Sequence, residues 1–241
     1  MKRILLLLFL AVVSLASQPG GFAAECRRHA DPVWRKTVDH PFLRALSEGT
    51  LPREKFRFYL EQDLLYLREF SRLLLELAAK APDADHARTL ARHASEAIAE
   101  EAALHASILG LQAQQRQSVE FSFSIAPSNA AYVNHLRAAV GRGSFLEGMA
   151  AVLPCYWIYM DAGKALAAKG SPVPEYQQWI RQYSGQDYEK SVSEAIAIFN
   201  AAAGGASPEI RARALAAFER SARYEWMFWD MAWRLEKWPP E

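Results

Sequence analysis

"TLPREKFRFYLEQDLLYLREFSRLLLELAAK", residues 50–80, places apolar side chains at Phe56, Leu60, Leu67, Phe70, Leu74 and Leu77. With position 63 included, the steps alternate between four and three, the spacing of one buried face on an α-helix. Thr50 is expected to cap this helix, with Pro52 in its first turn and a stop at Lys80-Ala81-Pro82. One seat on the stripe is anomalous. Position 63 is Asp, and an ionised carboxylate among apolar neighbours is costly unless something pairs with it. Tyr66 follows at i+3 and projects from the same side.

The punctuation continues along the chain. A second helix is expected from about Asp83 to Leu111, and a third from about Ala130 to Val140 after "APSN". "GRGSFLE" offers a break and then a capping box, Ser144 with Glu147, opening a helix to about Ala168. Shorter helices cover Pro174–Tyr183 and Asp187–Ala203, and Ser207-Pro208 starts a long final helix ending near "EKWPP". Strand-like alternation, repeats and long linkers are absent. The expectation is a single all-α domain, a bundle of long helices.

Bulk composition agrees. The chain has 241 residues, 51% hydrophobic, enough for one domain with a large core. Lys2 and Arg3 precede an apolar run, Ile4–Val13, and then small residues, which together read as a secretory signal. That run is too short to span a bilayer, so no stable membrane anchor is expected. Cleavage after Ala16 or Ala23 would leave small residues at the usual positions. The reading adopts Ala23, giving residues 1–23 as signal, residues 24–241 as the domain, and a secreted or periplasmic location. Without Lys2 and Arg3 the chain holds 26 basic and 27 acidic residues, a balance that gives no footprint for nucleic acid. Cys26 and Cys155 leave a disulfide open.

Other core seats hold polar residues. The final helix has a stripe at Ala214, Phe218, Ser221, position 225, Phe228, Ala232 and Leu235, and position 225 is Glu, within "RYEWMFWDMAW". A carboxyl among aromatics has its pKa raised by desolvation, which suits a group that must donate and accept protons. Glu101 falls on the line of Leu90, Ala94, Ile98, Leu104 and Ile108, with His105 one turn on. In the helix from Ser144, Pro154 removes a backbone N–H, so a kink is expected there. Cys155 and Tyr159 share a face beside Gly148, Ala151 and Ala162, small residues that would leave room for a ligand.

Each feature has a plainer reading. A lone Cys in an apolar helix is usually packing, "WMFWDMAW" suits core and subunit contacts, and Asp63 could pair with an arginine of a neighbouring helix. His29, His40, His86, His93 and His135 show no ligand spacing and read as surface or capping residues. Glu101 with His105 is half of a metal site at best, since bundle di-iron sites need a Glu-x-x-His pair twice.

Taken together, "HPFLRALSEGTLPREKFRFYLEQDLLYLREFSR", "AAVLPCYWIYMDAGK", "YQQWIRQYSG" and "RYEWMFWDMAW" resemble the TenA family of thiaminase II or aminopyrimidine aminohydrolase proteins, from about Glu25 to Pro239. The resemblance implies a haem-oxygenase-like fold, a homotetramer, no cofactor, and a small-molecule partner, an aminopyrimidine or thiamine. It implies hydrolysis of 4-amino-5-aminomethyl-2-methylpyrimidine to the hydroxymethylpyrimidine of thiamine salvage. Carried over by position, Cys155 would be the nucleophile and Glu225 the acid/base group. Asp63 would anchor the aminopyrimidine and Tyr66 would wall the ring, while Tyr159, Tyr132 and Tyr183 would complete its contacts. A metal-dependent haem-oxygenase-like oxygenase using Glu101 and His105, and a non-catalytic pyrimidine-binding protein, stay open as alternatives.

Overall fold

The computed structural model describes residues 21–97, 108 and 124–240. Among these residues the chain is a bundle of nine helices without strands: α1 Phe22–Val38, α2 Pro41–Glu48, α3 Arg53–Lys80, α4 Ala84–Glu96, α5 Pro127–Arg142, α6 Phe145–Ala167, α7 Pro174–Ser184, α8 Gln186–Gly204 and α9 Pro208–Arg234. The all-α expectation holds.

Local chemistry sets the helix ends. The imidazole of His40 accepts from the Phe42 N–H at 3.1 Å ahead of Pro41, and Gly49 closes α2 in the left-handed region at φ 72°. The cap of α3 is Pro52, with no side-chain hydrogen bond. Thr50 is therefore not its cap. At α6 the expected capping box is present, Ser144 Oγ accepting from the Glu147 N–H while Glu147 Oε2 accepts from the Ser144 N–H. Ser207 caps α9.

The centre of the bundle is α6. Every residue from Gly148 to Tyr159 is buried, as a helix apolar on all sides requires. It runs unbroken through Pro154 and packs against α5, α7, α8 and α9. The stripe of α3 is buried at every expected seat, Asp63 included, and that of α9 from Ala214 through Ala232. The first two helices were not anticipated from sequence. In α1, Trp34 is fully buried between Phe218 and Trp157, its Nε1 donating to Asp161 Oδ2 at 2.9 Å. The division expected after Ala23 falls inside α1.

Two glycines of α6 set how closely its neighbours approach. A Cβ on Gly148 would lie 2.6 Å from Leu77 Cδ2, so that gap is filled by α3 and not reserved for a ligand. A Cβ on Gly163 would lie 2.5 Å from the carbonyl carbon of Tyr183 and 2.8 Å from the Ser184 nitrogen. Backbone cannot move aside as a flexible side chain can. Gly163→Ala is therefore expected to destabilise the chain by about 1–3 kcal/mol, the range for overpacking. Urea denaturation monitored by far-UV circular dichroism checks this, and an unchanged midpoint would contradict it.

Candidate active site

The interior where α3, α5, α6, α7 and α9 meet is built of aromatic rings around two carboxyls. Asp63 comes from α3 and Glu225 from α9, each 2% exposed. Tyr59, one turn before Asp63, donates its hydroxyl proton to Asp63 Oδ2 at 3.0 Å. The same hydroxyl accepts from Trp179 Nε1 of α7 at 3.0 Å and lies 3.5 Å from the hydroxyl of Tyr159. On the other carboxyl, Tyr132 of α5 donates to Glu225 Oε1 at 2.5 Å. Among the described residues, the hydrogen-bond partner of Asp63 is a phenol, where a structural ion pair would use an arginine.

This choice sets the electrostatics. Burial pushes Asp63 up to about 7, with the hydrogen bond from Tyr59 working against the rise. Burial pushes Glu225 up to about 8. There the Tyr132 hydrogen bond opposes the shift and the charge of Asp63 adds to it. An arginine partner would have held either group low. A phenol satisfies the oxygen without a charge, so both carboxyls titrate near neutrality. Burial likewise lifts Tyr59, Tyr66, Tyr132 and Tyr159 well above the ordinary phenol value, so they serve as neutral donors.

Cys155 belongs to the same cluster. Beyond their own burial, Tyr66 and Tyr132 each respond to the charges of both Cys155 and Glu225. Tyr159 in turn responds to those of Asp63, Tyr59, Glu225 and Tyr183. The seven residues picked from sequence therefore converge: Cys155, Glu225, Asp63, Tyr66, Tyr132, Tyr159 and Tyr183. Ring contacts hold them, with Tyr66 5.2 Å from Tyr132 and Tyr159 4.8 Å from Tyr183. Gly163 is what lets the backbone of Tyr183 reach α6. One buried donor here, Trp229 Nε1, has no hydrogen-bond partner among the described residues. Such a group is what a bound ligand satisfies.

Sequence reasoning missed Tyr59, Trp179 and Trp229. For Tyr59 a signal existed, since it lies four residues before Asp63 and shares its face. The two tryptophans sit on other helices, and nothing in the linear pattern aims them at position 59. Of the histidines, His40 is a cap as expected. His93 is a correction: its side chain is 1% exposed and it is hydrogen-bonded at both ring nitrogens. His135 is half-buried and bonded to Ser221. Cys26 and Cys155 are both buried and are not joined in a disulfide. Glu101 and His105 lie outside the described residues.

Comparison with known proteins places the chain in a family. The model of the TENA/THI-4/PQQC family matches residues 27–235. The chain is 36% identical over 220 residues to an aminopyrimidine aminohydrolase of Bacillus subtilis, covering 90% of this chain and 92% of the relative. It is 32% identical over 224 residues to an aminopyrimidine aminohydrolase of Halalkalibacterium halodurans, covering 90% and 97%. Among solved structures, a TenA homologue protein from P. horikoshii OT3 superposes with a TM-score of 0.79 at 28% identity, covering 89% of this chain and 99% of the other. A domain with a heme oxygenase-like fold from Shewanella denitrificans superposes at 0.67 with 14% identity, covering 88% and 92%, a likeness of fold alone. By sequence and by fold, the chain belongs to the TENA/THI-4/PQQC family.

Proposed function

We propose that this protein is an aminopyrimidine aminohydrolase of the thiaminase II type, acting on 4-amino-5-aminomethyl-2-methylpyrimidine and on thiamine. The observation that carries the reading is the pair of buried carboxyls, Asp63 and Glu225, lifted to about 7 and about 8 beside a thiol. A core needs neither of them. In the proposed reaction Asp63 holds the exocyclic amine and a ring nitrogen, drawing electron density from the ring. The thiolate of Cys155 adds to the electron-poor ring, and the bond from the exocyclic carbon to the amine breaks, its electron pair leaving with nitrogen. Glu225 as the acid supplies the proton to that amine. As carboxylate it then takes one from the water that adds to the exocyclic carbon, and the carbon–sulfur bond breaks. Tyr66, Tyr132, Tyr159 and Tyr183 form the wall that orients the ring and excludes bulk water. Homotetrameric assembly is part of the same proposal. Trp238 and Leu75, about half exposed, are the large apolar side chains offered to it.

Export through an N-terminal signal is proposed with one change of boundary. Phe22 stacks on Phe199 at 5.4 Å beneath the Arg211 guanidinium, and the Ala23 N–H donates to Asn200 Oδ1 at 2.9 Å. A cut after Ala23 would strip these contacts from the core. A cut after Ala16, preceded by Ser14, leaves them intact and still presents small residues to the peptidase.

Turnover tests the chemistry. Wild type is expected to release ammonia from the aminomethylpyrimidine, and Cys155→Ser to lose that activity while still binding the ring. A Cys155→Ser variant as active as wild type removes the nucleophile from the scheme. Glu225→Gln is expected to lower kcat by about 10²–10⁴-fold, the usual contribution of a positioned acid/base. It should also abolish the alkaline limb of the pH profile, which in wild type falls near pH 8, where the acid form is lost.

The same substitution is expected to stabilise the fold. The pKa of Glu225 is higher in the folded state than in the unfolded one. The cost of ionising it therefore grows as pH rises through the unfolded value, about 4.3, and is complete above about 8. Above pH 8, Glu225→Gln should gain up to about 5 kcal/mol, or up to about 10–20 °C in Tm for a chain of this size. At pH 4 the gain should vanish. A Tm difference independent of pH would contradict the assignment. For the N-terminus, the intact mass of protein recovered from the export compartment is expected to begin at Ser17. A chain beginning at Ala24 would return the boundary to Ala23.

A further inference from the structure

Among the described residues, Cys155 alone of the site side chains also lines a neighbouring cavity of about 470 Å³, bounded by α3, α4, α6, α7 and the start of α8. Leu67 and Phe70, one and two turns beyond Asp63, line it as well. Its lining differs from the ring pocket, with Gln178, Gln182 and Arg181 in place of clustered phenols. Ammonia would not need such a volume, whereas cavities of this size accommodate whole small molecules.

On the wall next to Cys155 stands Tyr156, with its hydroxyl 3.2 Å from His93 Nδ1. His93 Nε2 lies 3.0 Å from Glu194 Oε2, and Arg92 Nη2 donates to the same oxygen at 2.5 Å. Burial, the largest influence on His93, keeps its ring neutral. Burial also opposes ionisation of Glu194, but the hydrogen bonds from His93 and Arg92 outweigh it and hold the carboxyl below its usual range. For a neutral imidazole, the Glu194 carboxylate at 3.0 Å favours the proton on Nε2 over the longer 3.4 Å approach of Arg92 Nη2 to the same nitrogen. Nδ1 is then the acceptor and Tyr156 the donor. A phenol that has given its hydrogen to a histidine can offer a ligand only lone pairs, so it selects an N–H or O–H donor.

We propose that this cavity receives the group leaving the pyrimidine, and that Tyr156, held by the Glu194–His93 pair, accepts a hydrogen bond from a hydroxyl or amine on that group. The proposal rests on Cys155 as the site of attack and deepens that reading. The ligand class is a polar heterocycle of thiazole size with a hydroxyalkyl arm. Tyr156 and Phe70, with ring centroids 5.5 Å apart, supply faces for a flat cation before it departs. Glu96 adds a carboxylate on the same lining.

The probe is the free hydroxyethylthiazole half of thiamine, titrated into the full-length protein by calorimetry. Wild type is expected to bind it, and Tyr156→Phe to bind it about fivefold more weakly, the value of one hydrogen bond. Because Tyr156 is buried, a second variant guards against misfolding. Gln182→Phe, at a partly exposed rim position, should fill the cavity and abolish binding while the thermal midpoint stays near wild type. Both variants should lower the ratio of kcat/KM for thiamine to that for aminomethylpyrimidine by about fivefold or more. No thiazole binding by wild type, or binding within about twofold across the three proteins, overturns the proposal. A wild type that turns over neither pyrimidine defeats the proposed function, and the binding titration still decides the cavity.

Discussion

Burying two carboxyls against phenols is the constraint from which the rest of the architecture follows. Asp63 and Glu225 each receive a hydrogen bond from a tyrosine. A guanidinium in either place would have secured the charge and fixed the group as a permanent anion. A phenol leaves the carboxyl poised between its two forms. That state survives only if water is excluded, which explains the shell of rings: Tyr66, Tyr132, Tyr159, Trp179, Tyr183 and Trp229. Cationic partners are used elsewhere. Glu69, on the same helix as Asp63, is held by Arg137 of α5 and by Arg72 and lies below the usual carboxylate range, its burial outweighed by the arginines. One helix thus carries an acid locked as an anion and, six residues earlier, one free to titrate.

Assembling groups from five helices at such short range demands close approach of backbones. The glycines of α6 provide it, Gly148 towards Leu77 of α3 and Gly163 towards the backbone at Tyr183. The second matters more to the chemistry. It brings the end of α7 against α6, where Trp179 donates to the hydroxyl of Tyr59 and leaves that hydroxyl's proton to Asp63. Packing and protonation are therefore not separable at this site. The same geometry joins the thiol to a second, partly open space, so that one cysteine serves as a wall of both.

How much of this was legible depends on what periodicity encodes. The stripes of α3 and α9 fall where the four-three spacing put them, and the anomalous Asp63 and Glu225 stand out because a polar residue in an apolar seat breaks a strong pattern. The spacing names a face but not what lies opposite. Tyr59 could have been read from its i+4 relation to Asp63, whereas Trp179 and His93 could not, since their partners are 120 and 63 residues away in sequence. The ends of helices were less legible than their faces. Thr50 has the chemistry of a cap, yet Pro52 holds that place because its fixed φ starts the helix without a side-chain acceptor. The first helices escaped because the small residues before Cys26 match a cleavage pattern and a buried first turn equally well.

The two thiols are chemically unequal. Cys26 is buried in α1, and burial, reinforced by the neighbouring Glu25, pushes it up to about 12. At neutral pH it carries almost no thiolate and is a poor nucleophile towards any oxidised sulfur. Cys155 is 8% exposed and lines a partly open cavity. A peroxide that oxidised it would form a sulfenic acid with no reactive cysteine in the chain to resolve it. In an oxidising compartment the protection of Cys155 must then come from access, not from repair. The polar cavity is the space from which a small oxidant can approach the sulfur. Occupancy of that space by a leaving group or its product is therefore also what shields the thiol.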